Sequence, residues 1–295
     1  MKSSFCPLPG NFYDDLSSED YHAGPGVSSS SLKILAKKSP LHFHKRVEVK
    51  QTPAMLTGSV LHTFVLEPDQ VNSRYTFPEE WVNAKKATHN KKVENYTPEE
   101  ARYADLATEA MKAGLQTIKG TRAGYEAIAR AVHKHKSWKH LVGSEPAFER
   151  SFYWTDEKTG IFLKCRPDAL NMSFTTTGKP MMTDLKSASD ARDRAFQYQV
   201  IDHGYDLSAA MYCDGVEAVT GVKCEGWAWF VFEKEAPYAT RVIYAGAEWL
   251  ARGRALYRKA LDTIVECGER GHWPGYDNGR PTVLPTPKWL EKETF

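Results

Sequence analysis

Residues 166–187 read RPDALNMSFTTTGKPMMTDLKS, and the two ends of this stretch decide how the chain is read. Met181–Lys186 has the look of a strand entering a core, with Met181-Met182 before a charged triplet and Ala188 just after it. Side chains on a strand alternate between faces, so Asp184 and Lys186 project together. Upstream, Ile161–Arg166 reads as another strand, Arg166-Pro167-Asp168 closes it, and a polar loop runs over 171–179. Asp168 is therefore expected to converge on Asp184 across the sheet. An Asp–Lys pair on a strand is commonplace at protein surfaces, so the triplet gains meaning only from the second carboxylate.

Working outward, Ala147–Thr155 alternates Phe148, Phe152 and Trp154 against Glu149, Ser151 and Tyr153, the period of a half-buried strand. Turn residues over 156–160 join it to Ile161–Arg166 as a hairpin, and Met181–Lys186 makes a third antiparallel strand. Helices follow at about 191–203 and 205–220, then an aromatic strand at Trp227–Phe232 and a long amphipathic helix over Gly246–Glu269. Residues 1–27 read as an irregular lead-in and 82–96 as a lysine-bearing loop. Helices are expected from the serines at 28–31 to Pro40, from Ala54 to Leu66, from Thr97 to about Gly120, and from Thr121 to about His140. The chain thus divides into a mostly helical part (1–142) carrying His62, a core (143–273) and an extended tail (274–295). The order predicts a mixed α/β (α+β) fold with a central sheet flanked by helices, not a regular βαβ series.

Composition narrows the function. Apolar content of 41% and charged content of 26% are ordinary for a folded protein. No apolar run is long enough to span a bilayer and residues 1–10 lack a signal-peptide core, so a cytoplasmic protein without a membrane partner is expected. The five cysteines include no C-x-x-C pair, against a zinc ribbon or iron–sulfur cluster. A net charge of +2 means that any nucleic-acid surface must concentrate its positive charge locally, as in Lys33–Lys38, Lys85–Lys92 or Arg122–Lys139. Each of those segments reads equally as a solvated face.

Two convergent carboxylates form a hard oxygen site that suits Mg²⁺ better than zinc or copper. A cation there polarises a phosphoryl oxygen and lowers the pKa of water. Lys186 beside it has the task of orienting that water or stabilising charge that develops at phosphorus. The carbonyl of Leu185 supplies a further oxygen. His62 reads either as an interior histidine or as a ligand, and Glu145 and Glu149 either as solvent-facing groups or as further acids at the site.

Gly58-x-x-x-His62, Leu66-Glu67-Pro68, Arg166-Pro167-Asp168, Asp184-Leu185-Lys186-Ser187 and Tyr212-x-Asp214-Gly215 occur in an order that resembles the RecE-type exonucleases. Those belong to the PD-(D/E)XK nuclease superfamily, with lambda exonuclease and the RecB nuclease domain. Tyr21-His22 and the block from Ser28 to Pro40 extend the resemblance over about residues 20–270.

The resemblance implies a PD-(D/E)XK core and a role for each matching residue. His62, Asp168, Asp184 and the Leu185 carbonyl would hold Mg²⁺, with Mn²⁺ able to substitute. Lys186 would be the catalytic lysine, and Glu149 an acidic member of the site. Tyr212 would face DNA at the end of a Gln-x-x-x-Tyr motif. Here the first position of that motif is Ser208, so Gln197 or Gln199, one or two turns upstream, is a substitute to consider.

The resemblance further implies an exonuclease acting 5′ to 3′ on ends of double-stranded DNA, a RecT-type annealing partner, phage-type recombination and a homo-oligomeric ring. Two other readings stand beside it: an endonuclease of the same superfamily, and a non-catalytic DNA-binding protein.

Overall fold

The fold is that of a computed structural model, which describes residues 5–47, 51–77, 93–95, 97–98, 101, 116–118, 121–174, 176–277 and 279–286. The strands are β1 (Asn11–Tyr13), β2 (Tyr75–Thr76), β3 (Gln116–Thr117), β4 (Ala147–Phe148), β5 (Ser151–Thr155), β6 (Phe162–Cys165), β7 (Ala169–Asn171), β8 (Met181–Ala188), β9 (Gly226–Glu233) and β10 (Thr240–Tyr244). The described helices are α1 (Ser18–Ala23), α2 (Ser29–Lys37), α3 (Pro40–His44), α4 (Pro53–Leu66), α5 (Val71–Arg74), α6 (Arg122–Lys134), α7 (Trp138–Val142), α8 (Asp193–His203), α9 (Tyr205–Thr220) and α10 (Ala247–Arg270).

The central sheet has five strands in the order β10-β9-β8-β7-β4. Only β8 and β9 run parallel. A parallel pair needs a crossover, and α8 and α9 supply it. Both faces of the sheet are covered, which explains why β9 is apolar from Trp227 to Phe232. Trp227, Trp229 and Val231 join a core with Leu32 of α2, Leu207 and Met211 of α9 and Tyr257 and Leu261 of α10. Ala228, Phe230 and Phe232 alternate to the other face, against Leu61 and Phe64 of α4, Ile128 and Val132 of α6 and Leu141 of α7. The fold class expected from the sequence is the one observed.

Four expectations need correction. The stretch 147–155 is two strands in two sheets: β4 pairs with β7, whereas β5 pairs with β6 and β1 in a separate three-stranded sheet. The switch falls at Glu149, whose φ of 49° is a left-handed conformation that costs a non-glycine residue about 1–2 kcal/mol. The strand that pairs with β8 is therefore β7, which takes up Asn171 from the expected loop. The helix from Thr121 breaks after Lys134, where His135 leaves helical backbone (ψ 128°), and resumes at Trp138. The helix expected over 97–120 and the loop over 82–96 lie mostly outside the described residues. Gln116–Thr117, however, pairs in parallel with Tyr75–Thr76 as β3. Short or half-buried elements, namely β1, α1 and β10, carry too little periodicity to be read in advance.

The N-terminal segment is tied onto the small sheet by buried cations. Lys164 Nζ donates to the carbonyls of Tyr21 (2.5 Å) and Gly24 (2.7 Å). Arg166 donates to Ser151 Oγ (2.8 Å) and the Leu16 carbonyl (2.8 Å). On the opposite side α9 and α10 approach so closely that a Cβ at Gly253 would lie 2.0 Å from the Asp206 carbonyl oxygen. All five cysteines are free thiols, and among the described residues no helix is long and apolar enough to cross a membrane.

Candidate active site and metal centre

Three elements converge at one end of the sheet. Thr52 caps α4 by accepting from the Met55 N–H, and Pro53 occupies its first turn. Val60, Leu61, Phe64 and Val65 bury one side of this helix and thereby fix its rotation. His62, half-buried, then faces β8, with Nε2 3.3 Å from the Leu185 carbonyl oxygen. That contact makes Nε2 the N–H nitrogen and turns Nδ1 toward the acids.

The break between β4 and β5 places Glu149, whose N–H donates to the Asp168 carbonyl at 3.2 Å. Asp168 immediately precedes β7, and its Oδ2 accepts from the Leu185 N–H at 2.7 Å. Asp168 Oδ1 is then 3.6 Å from His62 Nδ1, and Glu149 Oε1 is 3.9 Å from the same nitrogen. Ligand atoms of His62, Glu149 and Asp168 all lie within 4.8 Å of one another.

Asp184 and Lys186 do share a face of β8, and Lys186 Nζ lies 2.6 Å from Asp184 Oδ2. The same ammonium donates to the Leu185 carbonyl at 3.1 Å. The expected set of His62, Asp168, Asp184 and Leu185 is thus grouped in a particular way. Glu149 stands with His62 and Asp168, Lys186 engages Asp184, and the Leu185 carbonyl lies between the two groups.

The electrostatics follow from burial and from crowded acids. Burial alone pushes the His62 imidazole down, but Asp168 and Glu149 outweigh it and hold it up at about 9. Burial raises the Asp184 carboxyl, and the nearby Lys186 ammonium only partly offsets this. Burial would lower Lys186, yet Asp184 and Asp168 carry it well above its usual range, so it is a cation at neutral pH.

A cavity of about 830 Å³ opens beside this centre, within the range of ligand pockets. Ser28, Ser30, His62, Glu149, Asp168 and Tyr212 contribute to its wall. Tyr212 packs edge-on against Trp227 (5.6 Å between ring centres), and its hydroxyl accepts from Ser29 Oγ at 3.4 Å. Ser208 Oγ donates to Ser29 Oγ at 3.1 Å, so the position that departs from the Gln-x-x-x-Tyr pattern ties α9 to α2. Gln199 sits half-buried on α8 and does not line the cavity. Ser28 and Ser30 read in sequence only as helix caps, and nothing in a serine run separates a cap from a cavity wall.

The donor set fits a divalent cation. The two carboxylates are the hard oxygen ligands that Mg²⁺ or Mn²⁺ takes, and the one imidazole nitrogen is a softer ligand that suits Mn²⁺ better than Mg²⁺. The raised His62 reflects the same excess of negative charge that would draw a cation in.

The sequence profile described as PDDEXK-like domain of unknown function (DUF3799) matches residues 28–280. A crystal structure from Eubacterium rectale, described as a “putative exonuclease”, superposes with a TM-score of 0.56 at 16% identity. The match covers 94% of this chain and 97% of that one. A structure of SSO0001 matches 71% of this chain and 85% of that one at 14% identity, with a TM-score of 0.29. No curated protein matches the sequence.

Proposed function

The chain belongs to this PDDEXK-like family, and from that premise we propose that it is a metal-dependent nuclease acting on the ends of linear double-stranded DNA. The observation that carries the proposal is the convergence of His62, Glu149 and Asp168 next to the Asp184–Lys186 pair. His62 Nδ1, Glu149 and Asp168 would hold Mg²⁺ or Mn²⁺ with Asp184 beside them, while the Leu185 carbonyl, which accepts from His62 Nε2 on the other side of the ring, would not be a ligand of that cation. The cation supplies Lewis acidity toward a phosphoryl oxygen and toward water.

The chain's own residues do the rest. Asp184 holds the Lys186 ammonium in place, and Lys186 donates toward the phosphoryl oxygen on which negative charge accumulates. Asp168, fixed by the Leu185 amide, keeps its free oxygen on the centre. The Leu185 carbonyl orients His62 so that Nδ1 faces inward.

The motif resemblance to RecE-type enzymes supports the finer reading. By it the enzyme degrades from 5′ ends to leave single-stranded overhangs, works in the cytoplasm for phage-type recombination with a RecT-type annealing protein, and assembles as a ring around duplex. Digestion of linear duplex labelled separately at its 5′ and 3′ ends, with Mg²⁺ and with EDTA, tests activity, metal dependence and direction together. Loss of the 5′ label first, only with metal, is expected. Undigested duplex in Mg²⁺ and in Mn²⁺ sinks the nuclease reading, and cutting of covalently closed circles replaces exonuclease with endonuclease.

A further inference from the structure

Lys33 projects from α2 one helical turn beyond Ser29, the residue that bonds Tyr212 beside the cavity. Its stem packs on the turn between α8 and α9: a Cβ at Gly204 would lie 3.3 Å from Lys33 Cγ. Its ammonium is thereby held over the ring of Tyr205, 5.7 Å from the ring centre, while Lys186 Nζ lies 5.0 Å from the centre of the same ring. Among the described residues Lys33 has no hydrogen-bond or ion-pair partner. Its neighbour Lys37, by contrast, is spent on the carbonyls of Ile201 (2.9 Å) and Asp202 at the end of α8. Burial, and then the Lys186 ammonium, push Lys33 down to about 8 against the weaker pull of Asp184 and Asp206, which still leaves a cation at neutral pH.

A half-buried ammonium without an acceptor is costly to hold in a fold, and a second cation addressing the same ring adds to the cost. The pair becomes favourable once an anion stands against it. Lys186 is committed to Asp184 and the reacting phosphate, so the charge of Lys33 is left for another group. Resting on the nuclease reading above, we propose that Lys33 binds a DNA backbone phosphate next to the one that is cut. DNA offers this ligand in series, one charge per nucleotide along each strand. Lys33 in this role is a binding residue that sets the register of the strand in the site.

Full-length wild type, Lys33→Gln and Lys33→Arg are compared in two measurements. The first is binding of labelled linear duplex over a salt series with Ca²⁺, and the second is steady-state digestion with Mg²⁺. Lys33→Gln is expected to flatten the slope of log K against log salt by about 0.9, the share of one phosphate. It should also raise KM several-fold with a smaller change in kcat, while Lys33→Arg restores the slope. The thermal midpoint of Lys33→Gln should be no lower than wild type, because no hydrogen bond or ion pair is lost and the cost of holding a half-buried charge, which outweighs one long cation–π contact, is removed.

A Lys33→Gln enzyme with wild-type slope and KM overturns the proposal while leaving the nuclease intact. So does a lowered midpoint in Lys33→Gln, or equal losses in both variants, since packing would then explain them. Wild type that neither binds nor cuts duplex removes the nuclease reading, and this one with it.

Discussion

The Asp168 carboxylate and the Leu185 amide meet across the antiparallel pair β7–β8, 2.7 Å apart, and this bond organises the candidate centre. It occupies one oxygen of Asp168 and leaves the other directed at His62. Asp168→Asn can keep the amide bond through its carbonyl oxygen while replacing the inward oxygen with NH₂. Its thermal midpoint should stay close to wild type, with nuclease activity reduced about 100-fold or more. Asp168→Ala should lose the activity and also about 1–3 kcal/mol of stability, because the buried Leu185 N–H is left unpaired. Equal stability of the two variants would remove the bond from this account.

Lys186→Ala should lower kcat by about 100–1000-fold, the usual cost of one charge-stabilising donor, with duplex affinity in Ca²⁺ changed far less. Lys186→Arg should recover little, because a planar fork does not fit where one nitrogen spans Asp184 and the Leu185 carbonyl. Full activity in Lys186→Ala would sink the assignment.

The raised His62 makes metal-free stability depend on pH. The folded value, about 9, lies above the ordinary 6.5, so the stabilising contribution is complete below about 6.5 and is lost as pH rises through 9. Chemical denaturation in EDTA should show a loss of about 2–3 kcal/mol between pH 6 and pH 10 that His62→Gln abolishes. Because a cation needs the neutral imidazole, Mg²⁺ should bind more tightly as pH is raised from 6 to 9, releasing about one proton. A flat metal affinity across that range would exclude His62 as a ligand.

Gly253→Ala should destabilise the fold by about 2–4 kcal/mol, measured by urea unfolding. Its Cβ would meet backbone of α9, which cannot move aside as a side-chain tip could.

Much of the centre was legible from local pattern. Strand alternation predicted that Asp184 and Lys186 would share a face, and they are paired on β8. The aromatic run Trp227–Phe232 reads mainly as core, and its residues are at most 1% exposed. The period of 246–269 agrees with α10.

Glu149 was harder to read, because side-chain alternation from Ala147 to Thr155 continues through it. Its left-handed backbone and the change of sheet are visible only in the fold. His62 shows helical period but not which way α4 is rotated, and docking of Leu61 and Phe64 on the sheet decides that.

The sequence by itself determined the longer periodic elements and the chemistry they carry, because periodicity and residue type are properties of neighbours along the chain. Only the tertiary structure decided that Glu149 joins His62 and Asp168, that Lys186 takes Asp184, and that Lys33 is left without an ion-pair partner among the described residues. Those choices depend on which strands pair and which faces bury. Contacts distant in sequence settle them, and no local window contains such contacts.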